Sequence, residues 1–227
     1  MNSNILKIIG IFTMTVDHIG FILFPKIILL RVIGRLAFPV FAYMIAEGCH
    51  YTHDRKKYLR NIFLLALLCQ VAYTVFSGRW YFNVLMTFTL SILLIDAYDY
   101  MRSQIGPSRV RGTYFFALSL VGVYAFTEIL PTFLKAYEFD VDYGFFGVLL
   151  PLLIYLGRDK REKLLVAALG LALLALSIRG VQWWSLSALL IFALYNGRRG
   201  RIPMKYFFYL YYPAHLLVIE GIKMYLS

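Results

Sequence analysis

Long apolar runs separated by short polar breaks dominate the chain. A helix needs about 20 predominantly apolar residues to cross a bilayer. Nine segments approach that length: 5–24, 31–49, 58–76, 82–100, 112–130, 143–157, 163–179, 182–196 and 204–226. Pro25 closes the first segment, Ser77-Gly78 the third and Pro131 the fifth, while Pro213 falls inside the ninth and favours a kink there. The pattern predicts an all-α fold: a polytopic transmembrane helical bundle of about nine membrane helices, forming a single domain over 1–227. The sixth and eighth segments are short, so both are candidates for re-entrant rather than fully spanning helices.

Composition agrees. Hydrophobic residues make up 61% and charged residues only 15% of the 227 positions, against about 25% charged in a soluble domain. The net charge of +11 would suit nucleic acid if it covered a polar fold. Instead the bases cluster between apolar runs, and no nucleic-acid partner is expected. Arg55, Lys56, Lys57 and Arg60 follow the second segment, and Arg102, Arg109 and Arg111 the fourth. Arg158, Lys160, Arg161 and Lys163 follow the sixth; Arg198, Arg199, Arg201 and Lys205 follow the eighth. The alternate connections are poor in base. The positive-inside rule therefore places the amino terminus in the cytoplasm and, with nine spans, the carboxyl terminus outside. The first residues lead straight into the first run without a small-residue cleavage pattern, which predicts an uncleaved first span.

Cys49 and Cys69 have neither metal-type nor disulfide-framework spacing and are expected to act as small apolar side chains. Trp80, Tyr81, Trp183, Trp184 and the run Tyr206–Tyr212 suit an interfacial aromatic belt; that last run would equally suit the lining of a substrate pocket.

Against this apolar background, ionisable residues inside the spans are costly and mark function by default. Asp17 and His18 fall in the first span, Arg31 and Arg35 near the start of the second, Glu47 towards its end, and His215 just after Pro213 in the last. Adjacent helical residues point about 100° apart, so Asp17 and His18 should engage different neighbours. A histidine kept neutral can act as a general base near neutral pH. Arg35 keeps its charge and needs an anionic partner: Asp17, Glu47 or a substrate anion. A pairing with Asp17 would equally be a structural lock between the first two helices, and Arg31 would mark only the interface. Asn83 opens the fourth span, and Asp142 is placed to cap the sixth. Neither H-x-x-x-H nor H-E-x-x-H occurs, so no metal is predicted; no G-x-S-x-G elbow is present either.

These residues together resemble the TraX family. The resemblance rests on Asp17-His18-Ile19-Gly20, on Ile33-Gly34-Arg35-Leu36-Ala37-Phe38-Pro39 and on Glu47-Gly48. It extends through His53-x-Arg55-x-x-Tyr58, Asn83-Val84, Asp142-Tyr143-Gly144, Tyr195-Asn196-Gly197 and Tyr212-Pro213-x-His215. It runs from about residue 5 to 225. The family takes its name from a conjugal-transfer membrane protein that acetylates the amino terminus of pilin, and it looks related to integral-membrane acyltransferases that draw on cytoplasmic acyl coenzyme A. The resemblance implies a multi-pass protein of the bacterial cytoplasmic membrane that transfers an acyl group, acetyl in the first instance, from acetyl-CoA or another acyl-CoA to an amine or hydroxyl. In that scheme His18 is the base, Asp17 and Arg35 organise it, and His215 is the alternative base. Arg35, Asn83 or a tyrosine would stabilise the developing oxyanion. Arg55, Lys56, Lys57, Arg60, Glu47 and Asn83 would meet the coenzyme. The acceptor, whether a protein amino terminus, glycan, lipid or small molecule, is not specified, nor is homo-oligomerisation. Two other classes fit the same residues: a proton-coupled membrane transporter, weakened by the lack of paired repeats, and a non-catalytic assembly factor.

Overall fold

The structure, a computed structural model, describes residues 1–202 and 204–226, apart from the side chains at 76, 77, 205, 206, 209 and 226. Five helices among these residues are long and apolar enough to cross a membrane: Ser3–Ile22, Ile28–Tyr51, Arg55–Val75, Val84–Ser103 and Ser108–Phe133. Gly144–Leu156 and Gly180–Leu194 are shorter apolar helices, at the two segments whose brevity stands out in the sequence. The chain is an all-α membrane protein. It divides into two compact units, Met1–Met44 with Asp159–Ser227, and Ile45–Arg158.

The first unit begins with α1 (Ser3–Ile22), capped by Asn2, whose side chain accepts from the amides of Asn4 and Ile5. The second apolar run is broken. It forms α2 (Ile28–Gly34), a turn at Arg35-Leu36, and α3 (Ala37–Tyr51). Pro39 explains the break: it cannot donate to the carbonyl four residues back, at Arg35, and its ring crowds that carbonyl. In the first turn of α3 the missing donor costs nothing. The break is slight: Arg35 keeps helical backbone angles, and the amides of Arg35 and Leu36 add tighter bonds to the carbonyls of Val32 and Ile33, so Ile28–Tyr51 still reads as one long helix.

In the second unit, Asp54 caps α4 (Arg55–Ser77), which ends on Gly78 in the left-handed region, φ 69°. Asn83 caps α5 (Val84–Ser103) through the Leu85 amide. A short α6 (Ser108–Tyr124) then widens into a π turn at Ala125–Ile129 and continues as α7 (Leu130–Phe133). Pro131, expected to end this helix, is instead accommodated: it lacks the donor for Thr127, and the wider turn absorbs the loss. Glu128, on the π turn, accepts from the Phe145 amide at 2.7 Å and so caps α8 (Gly144–Leu156). The expected cap, Asp142, has other duties. Its carboxylate accepts from the Tyr81 hydroxyl at 2.8 Å and its carbonyl from Thr87 at 2.6 Å. Burial and the nearby Asp142 charge push the Tyr81 phenol above its ordinary range. Residues Tyr81–Phe82 (β1) and Asp140–Val141 (β2) form a two-residue parallel pairing. The core joins Ile92, Leu94 and Ile95 of α5 to Val148, Leu150 and Ile154 of α8, all nearly or fully inaccessible. Ser91 donates across to the Val148 carbonyl at 2.8 Å.

The chain then returns to the first unit through α9 (Lys160–Ile178), a 3-10 segment at Gly180–Ser187, α10 (Ala188–Leu194) and α11 (Lys205–Leu226). Both cysteines are buried free thiols.

Candidate functional site

In the first unit α1 and α2 approach closely because two glycines allow it. A Cβ at Gly20 would lie 2.6 Å from the Leu30 Cβ, and one at Gly34 would collide with the Asp17 carboxylate. Asp17 therefore lies directly against α2, on the face that presents Arg31 and Arg35 one turn apart. Arg31 pairs with Oδ2 at 2.7 Å, and Arg35 Nη2 donates to both carboxylate oxygens at 2.8 and 2.9 Å. Arg31 also donates to the Asp17 carbonyl at 3.2 Å. Arg35 Nη1 donates to the fully buried Gln182 on the 3-10 segment, at 3.2 Å. A buried ion pair persists only where geometry and further hydrogen bonds offset the desolvation. The fork of Arg35 and the side chain of Gln182 meet that requirement.

His18, one residue on, points elsewhere and meets His215 of α11. Their rings sit edge to face with centroids 4.9 Å apart, and His215 Nε2 is 3.1 Å from His18 Nδ1. The protons follow from the neighbours. His18 Nδ1 lies 2.9 Å from the Met14 carbonyl, and His215 Nδ1 lies 2.9 Å from the Tyr211 carbonyl. A carbonyl only accepts, so each Nδ1 carries a proton. His215 Nε2 is then a lone pair receiving part of the His18 Nδ1–H bond. His18 Nε2 is the second lone pair, and no described residue engages it. Tyr211 stacks on His215 with its ring 6° from parallel, and its hydroxyl bonds to Thr15 at 2.6 Å. Thr15 spends its own proton on the Ile11 carbonyl, so Tyr211 donates. Part of the aromatic run thus lines the histidine pair rather than an interfacial belt; Tyr206 and Tyr209 lie outside the described side chains.

Asp17, His18, Arg35 and His215 are therefore brought together. The residues expected to meet the coenzyme belong to the second unit. There Arg55 is already engaged: it pairs with Asp96 at 3.0 Å and Asp99 at 3.1 Å, and lies over the Tyr155 ring. Tyr155 donates to Asp99 at 2.7 Å and stacks against His50. Lys56, Lys57 and Arg60 are exposed, and Glu47 is half-buried on α3. The Asn83 amide donates to the Ala66 carbonyl and to Gln70. Among the described residues no cluster of three His, Cys, Asp or Glu could hold a metal.

Three participants, Arg31, Gln182 and Tyr211, escape the sequence reading. Arg31, expected to mark an interface, is a direct partner of Asp17. Gln182 and Ser185 are fully buried, and Gln182 Nε2 and Ser185 Oγ have no hydrogen-bond partner among the described residues. Gln182 was signalled only as the one amide in an apolar stretch beside Trp183-Trp184. Tyr211 was hidden among the aromatic residues around it.

Comparison with known proteins gives this arrangement a setting. The chain is 26% identical to the "Probable fimbrial assembly protein FimC, serogroup H1" of Dichelobacter nodosus, over 98% of this chain and 96% of that protein. It is 30% identical to the "Uncharacterized protein RP591" of Rickettsia prowazekii (strain Madrid E), over 43% of this chain and 36% of that one. No solved structure matches it. The family model described as "TraX protein" matches residues 2–223, a range that holds Asp17, His18, both arginines, Gln182 and His215, and the chain belongs to the TraX family.

Proposed function

We propose that this chain is a membrane acyltransferase that uses acetyl-CoA, or another acyl-CoA, to acylate an amine or hydroxyl at the bacterial cytoplasmic membrane, with its amino terminus in the cytoplasm. The observation that carries the proposal is the free lone pair on His18 Nε2, fixed by the two partners of its Nδ1–H. As the acceptor attacks the thioester carbonyl, its N–H or O–H proton passes to His18 Nε2. The new C–N or C–O bond forms, the C–S bond breaks, and the coenzyme thiolate takes the proton back from His18. His215 orients the base and its Nε2 accepts a stronger hydrogen bond once His18 is charged, the role a third group plays for a catalytic histidine. Asp17 adds negative charge beside the developing imidazolium, and Arg31 and Arg35 hold it in place. Arg35 is committed to Asp17 and Gln182, so its part is positioning rather than oxyanion stabilisation.

The name of the Dichelobacter relative makes the amino terminus of a fimbrial subunit the first acceptor to try. The test uses purified protein in lipid nanodiscs, labelled acetyl-CoA and a peptide with a free amino-terminal amine. Transfer should fall about 100-fold or more in a folded His18→Ala protein, and less in His215→Ala. Undiminished transfer by folded His18→Ala would overturn the assignment. Absence of transfer or thioester cleavage by the wild type with any acceptor would favour the proton-coupled transporter.

A further inference from the structure

The seam between α1 and α11 extends beyond the histidine pair. The two helices run side by side in the same direction, and paired contacts mark their shared face. Lys7 Nζ lies 5.9 Å from the Phe208 ring centroid, Thr15 meets Tyr211 at 2.6 Å and His18 meets His215 at 3.1 Å. Lys7, Ile11, Thr15 and His18 are spaced as one helical face, and all four are only partly buried.

At the start of that seam lies a built loop. Gly197 takes a left-handed conformation, φ 69°. Asn196 donates to the Met1 carbonyl at 3.0 Å, Ser3 to the Arg198 carbonyl at 3.0 Å and Gly200 to the Ser3 hydroxyl at 2.9 Å. A Cβ at Gly200 would collide with the Asn4 amide. The backbone is thus tied to the first turn of α1, while Arg198, Arg199 and Arg201 are exposed. No carboxylate pairs with any of the three among the described residues. Arg55 of the second unit, by contrast, faces two carboxylates.

Resting on the acyltransferase reading, we infer that Arg198, Arg199 and Arg201 hold the nucleotide phosphates of the acyl-CoA donor, whose pantetheine arm lies along the α1–α11 seam and brings its thioester to His18. From Ser3, where the loop is tied, to His18 the helix rises ~22 Å, at about 1.5 Å per residue. An extended pantetheine arm, with two amide units of peptide-like length, covers on the order of 15 Å, and the diphosphate and the reach of the arginine side chains supply the remainder. Guanidinium groups recognise phosphate by paired charge-assisted hydrogen bonds, and three unpaired ones match a ligand with three phosphates.

The test compares acetyl-CoA with S-acetylpantetheine, which lacks the phosphates, on full-length protein in nanodiscs of neutral lipid. In the triple variant Arg198→Gln, Arg199→Gln, Arg201→Gln, acetyl-CoA affinity should fall ~10-fold or more, the loss expected for even one charged hydrogen bond. S-acetylpantetheine binding should be unchanged, and phosphoadenosine phosphate should no longer compete. Unchanged acetyl-CoA affinity in that variant would overturn the site while leaving the acyltransferase reading standing. Failure of the wild type to bind acetyl-CoA would overturn both. Should the variant misfold and lose both ligands, the wild type decides: screening by salt should weaken acetyl-CoA and spare S-acetylpantetheine, and equal salt responses would overturn the site.

Discussion

The chemistry proposed for His18 depends on what its other nitrogen does. With Nδ1–H shared between the Met14 carbonyl and His215, the ring keeps one tautomer and offers Nε2. Asp17 is the neighbour most sensitive to change. It neutralises one of two guanidinium groups at under 3 Å, so Asp17→Asn leaves two like charges crowded in a half-buried corner. Breaking such a pair from one side costs about 3 kcal/mol, read as a lower melting temperature in detergent. Loss of transfer would accompany it, because the corner places α1. An equally stable Asp17→Asn protein would show that the pair is solvated. The cast of this site was largely legible: Asp17, His18, Arg35 and His215 stand out as ionisable groups in apolar spans. Gln182 and Tyr211 were not, because their roles come from contacts with helices remote in sequence, and Arg31, at the edge of its span, was indistinguishable from an interface residue.

At the scale of elements, the apolar runs correspond to the helices, since backbone groups in a bilayer must be satisfied within the segment. Two of the departures occur at prolines. Pro39 accompanies a tightened turn at Arg35-Leu36 within the second run. Pro131 is absorbed by a π turn, which presents Glu128 to the start of α8. Exchange of that duty from Asp142 to Glu128 was not readable, since it depends on two segments meeting in space. Glu128→Ala strands the Phe145 amide at a half-buried helix start and should cost about 1–3 kcal/mol. Faster hydrogen exchange at Phe145 and its neighbours is the accompanying signature, while Glu128→Gln should recover part of the loss. Unaltered exchange in Glu128→Ala would mean that another group caps α8. The parallel pairing of Tyr81–Phe82 with Asp140–Val141 is likewise non-local, joining strands only two residues long that carry no period of their own.

For the molecule as a whole, charge and chemistry share one arrangement. The bases expected to orient the chain include Arg198, Arg199 and Arg201, in a loop bonded to Met1 and Ser3 at the start of α1, and α1 leads to His18. On the proposed reading, one set of residues would fix both which side the donor comes from and how far it reaches. The most direct measurement of this uses sealed membrane vesicles of both orientations, supplied externally with labelled acetyl-CoA. Label should enter membrane or peptide acceptors only in inside-out vesicles, and only with His18 intact. Equal labelling with His18→Ala, or labelling from the outer face of right-side-out vesicles, would contradict the assignment of His18 as the base served from the cytoplasm.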